Sequence, residues 1–393
     1  MIDGEHYAPV VRDALAELPY EFVAAFLVGG TEKLLGGEEY GVPLVESLNE
    51  AIARYGPEVV IDLSDEPVLG PRERFLLASR VLAAGLPYAG ADFRFDPPVF
   101  EPFPLPSLAV FGTGKRVGKT AVTGHLARVL VRDRDVLVVA MGRGGPPEPE
   151  VIEVAPTVAD LLARSRAGRH AASDHLETAA LAGVPTIGCR RAGGGLAGAP
   201  FVSNVMSGAR LAAERGADIV VFDGSGAAIP PVATGARVLV AHDLEAGLNP
   251  FRALIADLVL TRSDEVATVA ASLGRRVVRF DLRLAPAEPL AGRRTALFTT
   301  GPAPFDHLEE VVFSSRNLAD REALRRDLES VDADVFLVEL KAAAIDVVAE
   351  AAAARGAELV LARNEVVGPG LDEALLELAD VATGAQPREN LLR

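Results

Sequence analysis

Residues 108–120 read Leu-Ala-Val-Phe-Gly-Thr-Gly-Lys-Arg-Val-Gly-Lys-Thr, and an apolar-periodic stretch follows to Leu130. Gly112 and Gly118 bracket Thr113, Gly114, Lys115, Arg116 and Val117, while Lys119, Thr120 and Ala121 open the stretch beyond. A glycine-bearing loop between a strand and a helix wraps main-chain N–H groups around a polyphosphate, with the positive helix end behind them. In that setting Lys119 reaches the outer phosphate oxygens, and Thr120 offers its hydroxyl to Mg²⁺. The usual P-loop has four residues between its glycines. Here there are five, with Thr113 where glycine is usual.

Other residues are placed to work beside this loop. In 219–223 four apolar residues end in Asp223, which reads as a buried strand delivering a carboxylate to its C-terminal edge. Ligands of open α/β sheets gather at that edge, so Asp223 is the second candidate ligand for Mg²⁺. Arg143, followed by Gly144 and Gly145, lies just beyond the apolar run 136–140; it offers a planar fork for phosphate oxygens in a loop open to close approach. Arg190 and Arg191, ahead of Gly193, form a further cationic loop. His6 (with Asp3 nearby), Lys33 after Gly29-Gly30-Thr31, His175 after Ser173-Asp174, and Lys341 are weaker candidates for lining an anionic substrate; as structural residues, His6 is a satisfied histidine and Ser173 an N-cap. Thr261 and Arg262 follow the run 258–260, where related ATPases often read the base. ATP and GTP are both compatible with these residues.

These groups need a scaffold. Short β-rich runs alternate with helical stretches along the 393 residues, the pattern of α/β layers with mostly parallel sheets. Strands are expected at 21–28 and 58–63, at 107–111, 136–140, 219–222, 237–241 and 258–260, and at 296–299, 311–313, 335–338 and 359–361. Five prolines within 96–106, and Pro286 with Pro289, mark seams, because proline continues neither a helix nor a central strand. The expected organisation is multi-domain: an N-terminal α/β domain at 1–104 acting as a substrate cap, a central P-loop domain at 105–286, and a C-terminal α/β domain at 287–393. The net charge of −16 argues against nucleic acid and anionic membrane as partners. No apolar run reaches the ~20 residues that span a bilayer, and the opening Met-Ile-Asp-Gly-Glu-His-Tyr resembles no leader, so a cytoplasmic protein is expected. One cysteine, Cys189, rules out a disulfide framework or a thiolate cluster within the chain. Only four of the 39 basic residues are lysine, and Lys115 and Lys119 share one loop.

The P-loop spacing resembles that of the dethiobiotin synthetase branch. Across the chain, Ile2-Asp3-Gly4-Glu5-His6-Tyr7, Gly29-Gly30-Thr31-Glu32-Lys33, the P-loop itself, Met141-Gly142-Arg143-Gly144-Gly145 and Val338-Glu339-Leu340-Lys341 together resemble the cyclic 2,3-diphosphoglycerate synthetases. That resemblance implies ATP-dependent closure of 2,3-diphosphoglycerate to its cyclic form, with release of ADP and phosphate. Lys119 would then stabilise the moving phosphoryl group and Thr120 and Asp223 organise Mg²⁺. Lys115 and Arg116 would face either ATP or the acceptor phosphate. Arg143, with Arg190 and Arg191, would hold diphosphoglycerate. No dedicated base is required, since a phosphate nucleophile is already ionised. A homodimer is expected by analogy with the P-loop branch. The residues alone also admit a carboxylate-activating ligase, a kinase making 2,3-diphosphoglycerate in the manner of a 2-phosphoglycerate kinase, or a nucleotide-dependent switch. The switch lacks support from Gly114, which stands where partitioning ATPases carry a lysine.

Overall fold

Parallel strands covered on both faces need unbroken apolar runs rather than alternation. The segments 107–112, 136–142 and 219–223 meet that need, and every residue in them is buried. A computed structural model describes the chain except residues 170, 172, 291, 302–303, 341–344 and 385–393, and except the side chain of Lys33. The contacts divide it into two units, Met1–Pro98 with Asp243–Ile255, and Val99–His242 with Ala256–Arg393.

The first unit contains α1 (Ala8–Glu17), α2 (Leu48–Tyr55), β1 (Val60–Ile61), α3 (Pro71–Ala83), β2 (Tyr88–Ala89) and β3 (Arg94–Phe95). β1 and β2 are parallel, and β3 returns antiparallel. The run 21–28 forms only isolated bridges, Ile2 with Leu27 and Ala25 with Leu44, in place of the strand its composition predicts. Ser47 caps α2 by accepting from the Glu50 N–H at 3.2 Å, an N-cap bond that satisfies one of the helix's free donors.

In the second unit come β4 (Glu101–Pro102), β5 (Ser107–Gly112), α4 (Lys119–Leu130), β6 (Val136–Gly142), β7 (Glu150–Ile152), α5 (Val158–Arg166), α6 (Asp174–Ala182), β8 (Thr186–Ala192), β9 (Val202–Ser203), α7 (Val205–Arg215), β10 (Ile219–Asp223), β11 (Val232–Ala233) and β12 (Ala236–Ala241). The next helix, α8 (Asn249–Leu254), packs along α3 and so groups with the first unit. The second unit resumes with β13 (Leu258–Thr261), α9 (Asp264–Ser272), β14 (Arg276–Arg279), β15 (Asp281–Pro286), β16 (Thr295–Phe298), β17 (Val311–Ser315), α10 (Arg321–Glu329), β18 (Val335–Glu339), α11 (Ile345–Arg355), β19 (Glu358–Val367) and α12 (Leu371–Ala382).

The central sheet runs β14-β13-β12-β5-β10-β6-β8-β7, with β9 beside β8; β7 and β9 are its antiparallel members. From β5 the chain crosses to β6 and β8, returns to fill the gap with β10, and continues on the other side through β12. That reversal opens a crevice at the C-terminal ends of β5 and β10, where such sheets bind ligands. A second sheet runs β15-β19-β18-β16-β17, parallel except for β15. The C-terminal chain does more than form this sheet. α12 buries Leu371, Leu375 and Leu378 in the same core as Leu108 of β5 and Leu126 of α4. Among the described residues, no helix is long and apolar enough to cross a membrane.

Candidate active site

β5 ends at Gly112, and its loop turns tightly enough to need glycine there. A side chain at 112 would meet the Val117 methyl at 2.9 Å and the Gly226 carbonyl at 3.3 Å. Val117 itself packs against the central core, pinning the loop's far side. Arg116, at φ +61°, and Gly118, at φ +97°, hold left-handed backbone before α4 begins at Lys119. Thr113 anchors the near side: its hydroxyl accepts from the His242 N–H at 3.0 Å. Lys115 and Arg116 are left exposed at the tip of the loop.

The N-terminal turn of α4 faces the end of β10, whose Asp223 is level with Val110 of β5 and Ala140 of β6. Lys119 Nζ lies 2.6 Å from Asp223 Oδ1, and the Thr123 hydroxyl donates to the same oxygen at 2.9 Å. Thr123 stands four residues beyond Lys119, so both reach Asp223 from one helix face. The carboxylate is fully buried, yet among the described residues its other oxygen, Oδ2, has no partner. Burial pushes its carboxyl above the usual range; Lys119 opposes that, and the Asp174 carboxylate adds to it. Asp174 opens α6 beside the end of β6, where a side chain at Gly142 would lie 3.7 Å from its Oδ2.

Two guanidinium groups close the other side. Arg191 donates to the carbonyls of Gly193 and Ser225, each at 2.7 Å, while its Nε is buried without a partner among the described residues. Arg143 reaches the same loop. A side chain at Gly226 would lie 2.6 Å from one of its terminal nitrogens and 3.6 Å from Arg191's. Burial and the neighbouring Arg143 charge lower the Arg191 pKa. An amide-lined loop, a buried lysine, a carboxylate with an open oxygen and two adjacent arginines form an arrangement for an anion of several charges and a cation.

Comparison with known proteins finds matches along most of the chain. Models of the cyclic 2,3-diphosphoglycerate synthetase N-terminal, P-loop and C-terminal domains match residues 1–96, 107–277 and 286–365. The chain belongs to the cyclic 2,3-diphosphoglycerate synthetase family. Proteins of that name are 50% identical in Rubrobacter xylanophilus, over 97% of both chains, and 41% in Thermococcus kodakarensis, over 98% of both. The Methanothermus fervidus protein is 36% identical over 97% of this chain and 96% of its own. Among solved structures, LpxK from Aquifex aeolicus in complex with ATP is similar at TM-score 0.43 and 12% identity, over 71% of this chain and 90% of that one.

Within this synthetase-family chain, the residues singled out by sequence separate. The site brings together Gly112, Lys119, Asp223, Arg143 and Arg191. Gly145 lies over β8, where a side chain would meet the Cys189 carbonyl at 2.0 Å, so glycine is required for the turn to close; Gly144 is exposed. Thr120 and Ala121 are half-buried beside a narrow crevice with Gly124, Glu177 and Thr178. Arg190 is parted from Arg191 because successive strand residues face opposite ways; its own N–H is taken by Asn204 Oδ1 at 2.7 Å.

His175 lies in the interior. Its ring is 3% exposed, lies against Gly188, and pairs with Glu150 Oε2 at 3.3 Å. The Thr261 hydroxyl is buried and accepts from the Ser263 N–H at 3.1 Å, while Arg262 pairs with Asp281 on the surface. In the first unit, His6 Nδ1 is 2.7 Å from the buried Asp3, whose other oxygen accepts from the Asp65 N–H at 2.8 Å. The Lys33 side chain and Lys341 lie outside the described residues.

Thr123 and Asp174 are site residues that sequence reading passes over. The i,i+4 spacing from Lys119 is the signal for Thr123. Asp174 carries little signal, since an acid in the first turn of a helix is ordinary.

Proposed function

We propose that the chain joins the two phosphates of 2,3-diphosphoglycerate into a ring at the expense of ATP. One phosphate of the substrate takes the γ-phosphoryl group of ATP, releasing ADP. An oxygen of the other phosphate then attacks the activated phosphorus; the new P–O–P bond closes the ring and inorganic phosphate leaves. The observation that carries this reading is the buried Lys119–Asp223–Thr123 cluster beside Arg143 and Arg191. It combines a nucleotide-phosphate cradle with cations for a second, highly charged substrate.

The roles follow from position. The free amides of the 112–118 loop and of the first turn of α4 bind the β- and γ-phosphates, and Lys119 turns from Asp223 to the transferring group. Arg143 and Arg191 hold the phosphates of diphosphoglycerate close together, offsetting their repulsion and limiting the search for the attacking geometry. Lys115 and Arg116 cover the outer phosphates. The unpartnered Oδ2 of Asp223 suits a divalent cation, with the Thr120 hydroxyl and Asp174 as further oxygen donors and the nucleotide completing the set. Mg²⁺ so held would neutralise charge developing between the β- and γ-phosphates.

Incubation with ATP, Mg²⁺ and 2,3-diphosphoglycerate, followed by ³¹P NMR, tests the proposal. A ring pyrophosphate signal appearing in step with ADP and phosphate is expected. ADP release with the two phosphomonoester signals unchanged would overturn it. We place the enzyme in the cytoplasm as a homodimer, a state that light scattering at micromolar concentration checks.

A further inference from the structure

α4 carries the P-loop lysine at its first residue, and a cationic cleft opens along its far end. β19 packs against the helix there. Between them lies a cleft of about 510 Å³ whose lining comprises His125, Arg128, Arg132, Arg363, Glu365 and four valines. Arg128 is in the last turns of α4 and Arg132 just past its end, while Arg363 and Glu365 share one face of β19. Three guanidinium groups thus meet one carboxylate, in a chain whose net charge is −16. The phosphate chemistry proposed above uses none of them.

The partners of these charges are few. Arg363 donates to Glu365 Oε1 at 2.9 Å, and His125 is taken by Asp372 at 2.6 Å. Arg128 has no carboxylate among the described residues; its one hydrogen bond, to the Leu181 carbonyl, is 3.4 Å long. The Nε of Arg363 is buried without a partner, and Arg132 makes no hydrogen bond or ion pair among the described residues. Burial lowers the Arg128 pKa, the Arg363 charge adds to that, and Glu365 opposes it. An exposed arginine such as Arg132 is well solvated, so alone it would signify nothing. Arg128 is half-buried and feels Arg363 across the cleft, an arrangement that costs energy until an anion lies between the two.

We propose that this cleft binds a small anion carrying at least two phosphate charges, gripped by Arg128 and Arg363 with Arg132 at the rim. Three guanidiniums and one carboxylate leave two positive charges uncompensated, which sets the charge of the ligand. Planar forks on facing walls suit phosphate oxygens, and guanidinium stays ionised in a partly buried setting. Size sets the place. Toward Thr120 the cleft narrows to a crevice of about 20 Å³ beside Glu177 and Thr178, room for a water and no more. The anion therefore sits in the wide part, away from the Glu177 carboxylate. Arg128 is about 13 Å from Lys119 along the helix axis, at 1.5 Å per residue. The site is thus distinct from the phosphate loop, yet its occupant bears on the helix that carries Lys119 and Thr120.

Calorimetric titration of the full chain with inorganic pyrophosphate tests the proposal. Two classes of site are expected, because the phosphate loop also takes pyrophosphate. Arg128→Gln should weaken one class by about tenfold or more and spare the other, and Lys119→Ala should do the converse. Arg132→Gln, at an exposed position that folding does not depend on, should weaken the same class as Arg128→Gln by about threefold or more. Titration with 2,3-diphosphoglycerate and with its cyclic form then names the source, as the one whose binding falls in Arg128→Gln. A single class of site in the unaltered chain would overturn the proposal. So would a second class that neither arginine substitution weakens. Dissociation of an oligomer by Arg132→Gln would overturn it as well, by giving the cleft to a second copy of the chain.

Discussion

Asp62 and Asp223 are both buried carboxylates at the C-terminal ends of parallel strands, and they are held in opposite ways. Asp62, just beyond β1, accepts from the Ser64 N–H at 2.9 Å, from the Ser64 hydroxyl and the Tyr88 hydroxyl at 2.5 Å each, and from Arg74 Nε at 3.0 Å. Both of its oxygens are used. Asp223 concentrates Lys119 and Thr123 on one oxygen and leaves the other bare. A buried polar atom without a partner costs about 1–3 kcal/mol. The saturated acid ties down the first unit, whereas the unsaturated one is built for something that arrives.

The largest separation between the two should come from Lys119. Lys119→Ala removes the only cation bonded to Asp223 among the described residues, and turnover should fall by about a thousandfold or more, in the range known for losing one preorganised electrostatic contact. The fold should survive, because an unpaired buried carboxyl can take up a proton. Single-turnover ADP formation and circular dichroism together check this. Near-normal rates would remove Lys119 from the chemistry.

Exchanging the acids sharpens the contrast. Asp62→Ala strands the Arg74, Tyr88 and Ser64 donors, and a loss of about 3 kcal/mol is expected in the first unit's unfolding. Asp223→Asn keeps the shape, so its expected stability change is within about 1 kcal/mol while Mg²⁺-dependent nucleotide binding is lost. Denaturant melts and calorimetric titration of ATP with and without Mg²⁺ measure both. Equal stability losses in the two variants would mean that Asp223 is as structural as Asp62.

Arg143 and Arg191 offer a smaller contrast within the site. Arg191 is tied to two carbonyls, whereas Arg143 makes no hydrogen bond or ion pair among the described residues. Arg143→Gln should therefore raise the KM for diphosphoglycerate by about 10-fold to 100-fold, the loss of a charge-assisted contact, with the KM for ATP little changed. A matched rise in both would place Arg143 on the nucleotide instead.

How much of this could be read beforehand follows from how local each feature is. The P-loop was legible because glycines, lysine and the flanking apolar runs fall within one short segment. Asp223 was legible because four apolar residues announce a buried strand and therefore an edge. Arg143 and Arg191 were legible as loop cations, but only the folded loops show that Arg191, of the two neighbouring arginines, lies near Arg143 across Gly226. Asp174 needed the sheet to set α6 against β6, the strand next to β10. The packing of α12 on the central core joins residues more than 240 positions apart, as Arg134 with Asp380 shows, and no local pattern reports it. The run 21–28, expected as a strand, forms only isolated bridges, Ile2 with Leu27 and Ala25 with Leu44.

His175 gives the smallest effect and the clearest sign. His175 is buried between Glu150, which is itself clamped by Arg164 at 2.7 and 2.8 Å, and the Gly188 backbone, with Asp174 next to it in the chain. Burial lowers its pKa below the usual 6.5 of a free imidazole, with Glu150 and Asp174 opposing and Arg164 assisting. A folded pKa below the unfolded one means that the unfolded chain binds the proton more readily. The stabilising contribution is thus complete above pH 6.5 and drains away as pH falls through the lower folded value. His175→Gln should flatten the acid side of the second unit's melting curve by about 1 kcal/mol or less. Melts from pH 5 to 8 decide it: an unchanged slope in His175→Gln would mean that the proton released on folding comes from another group.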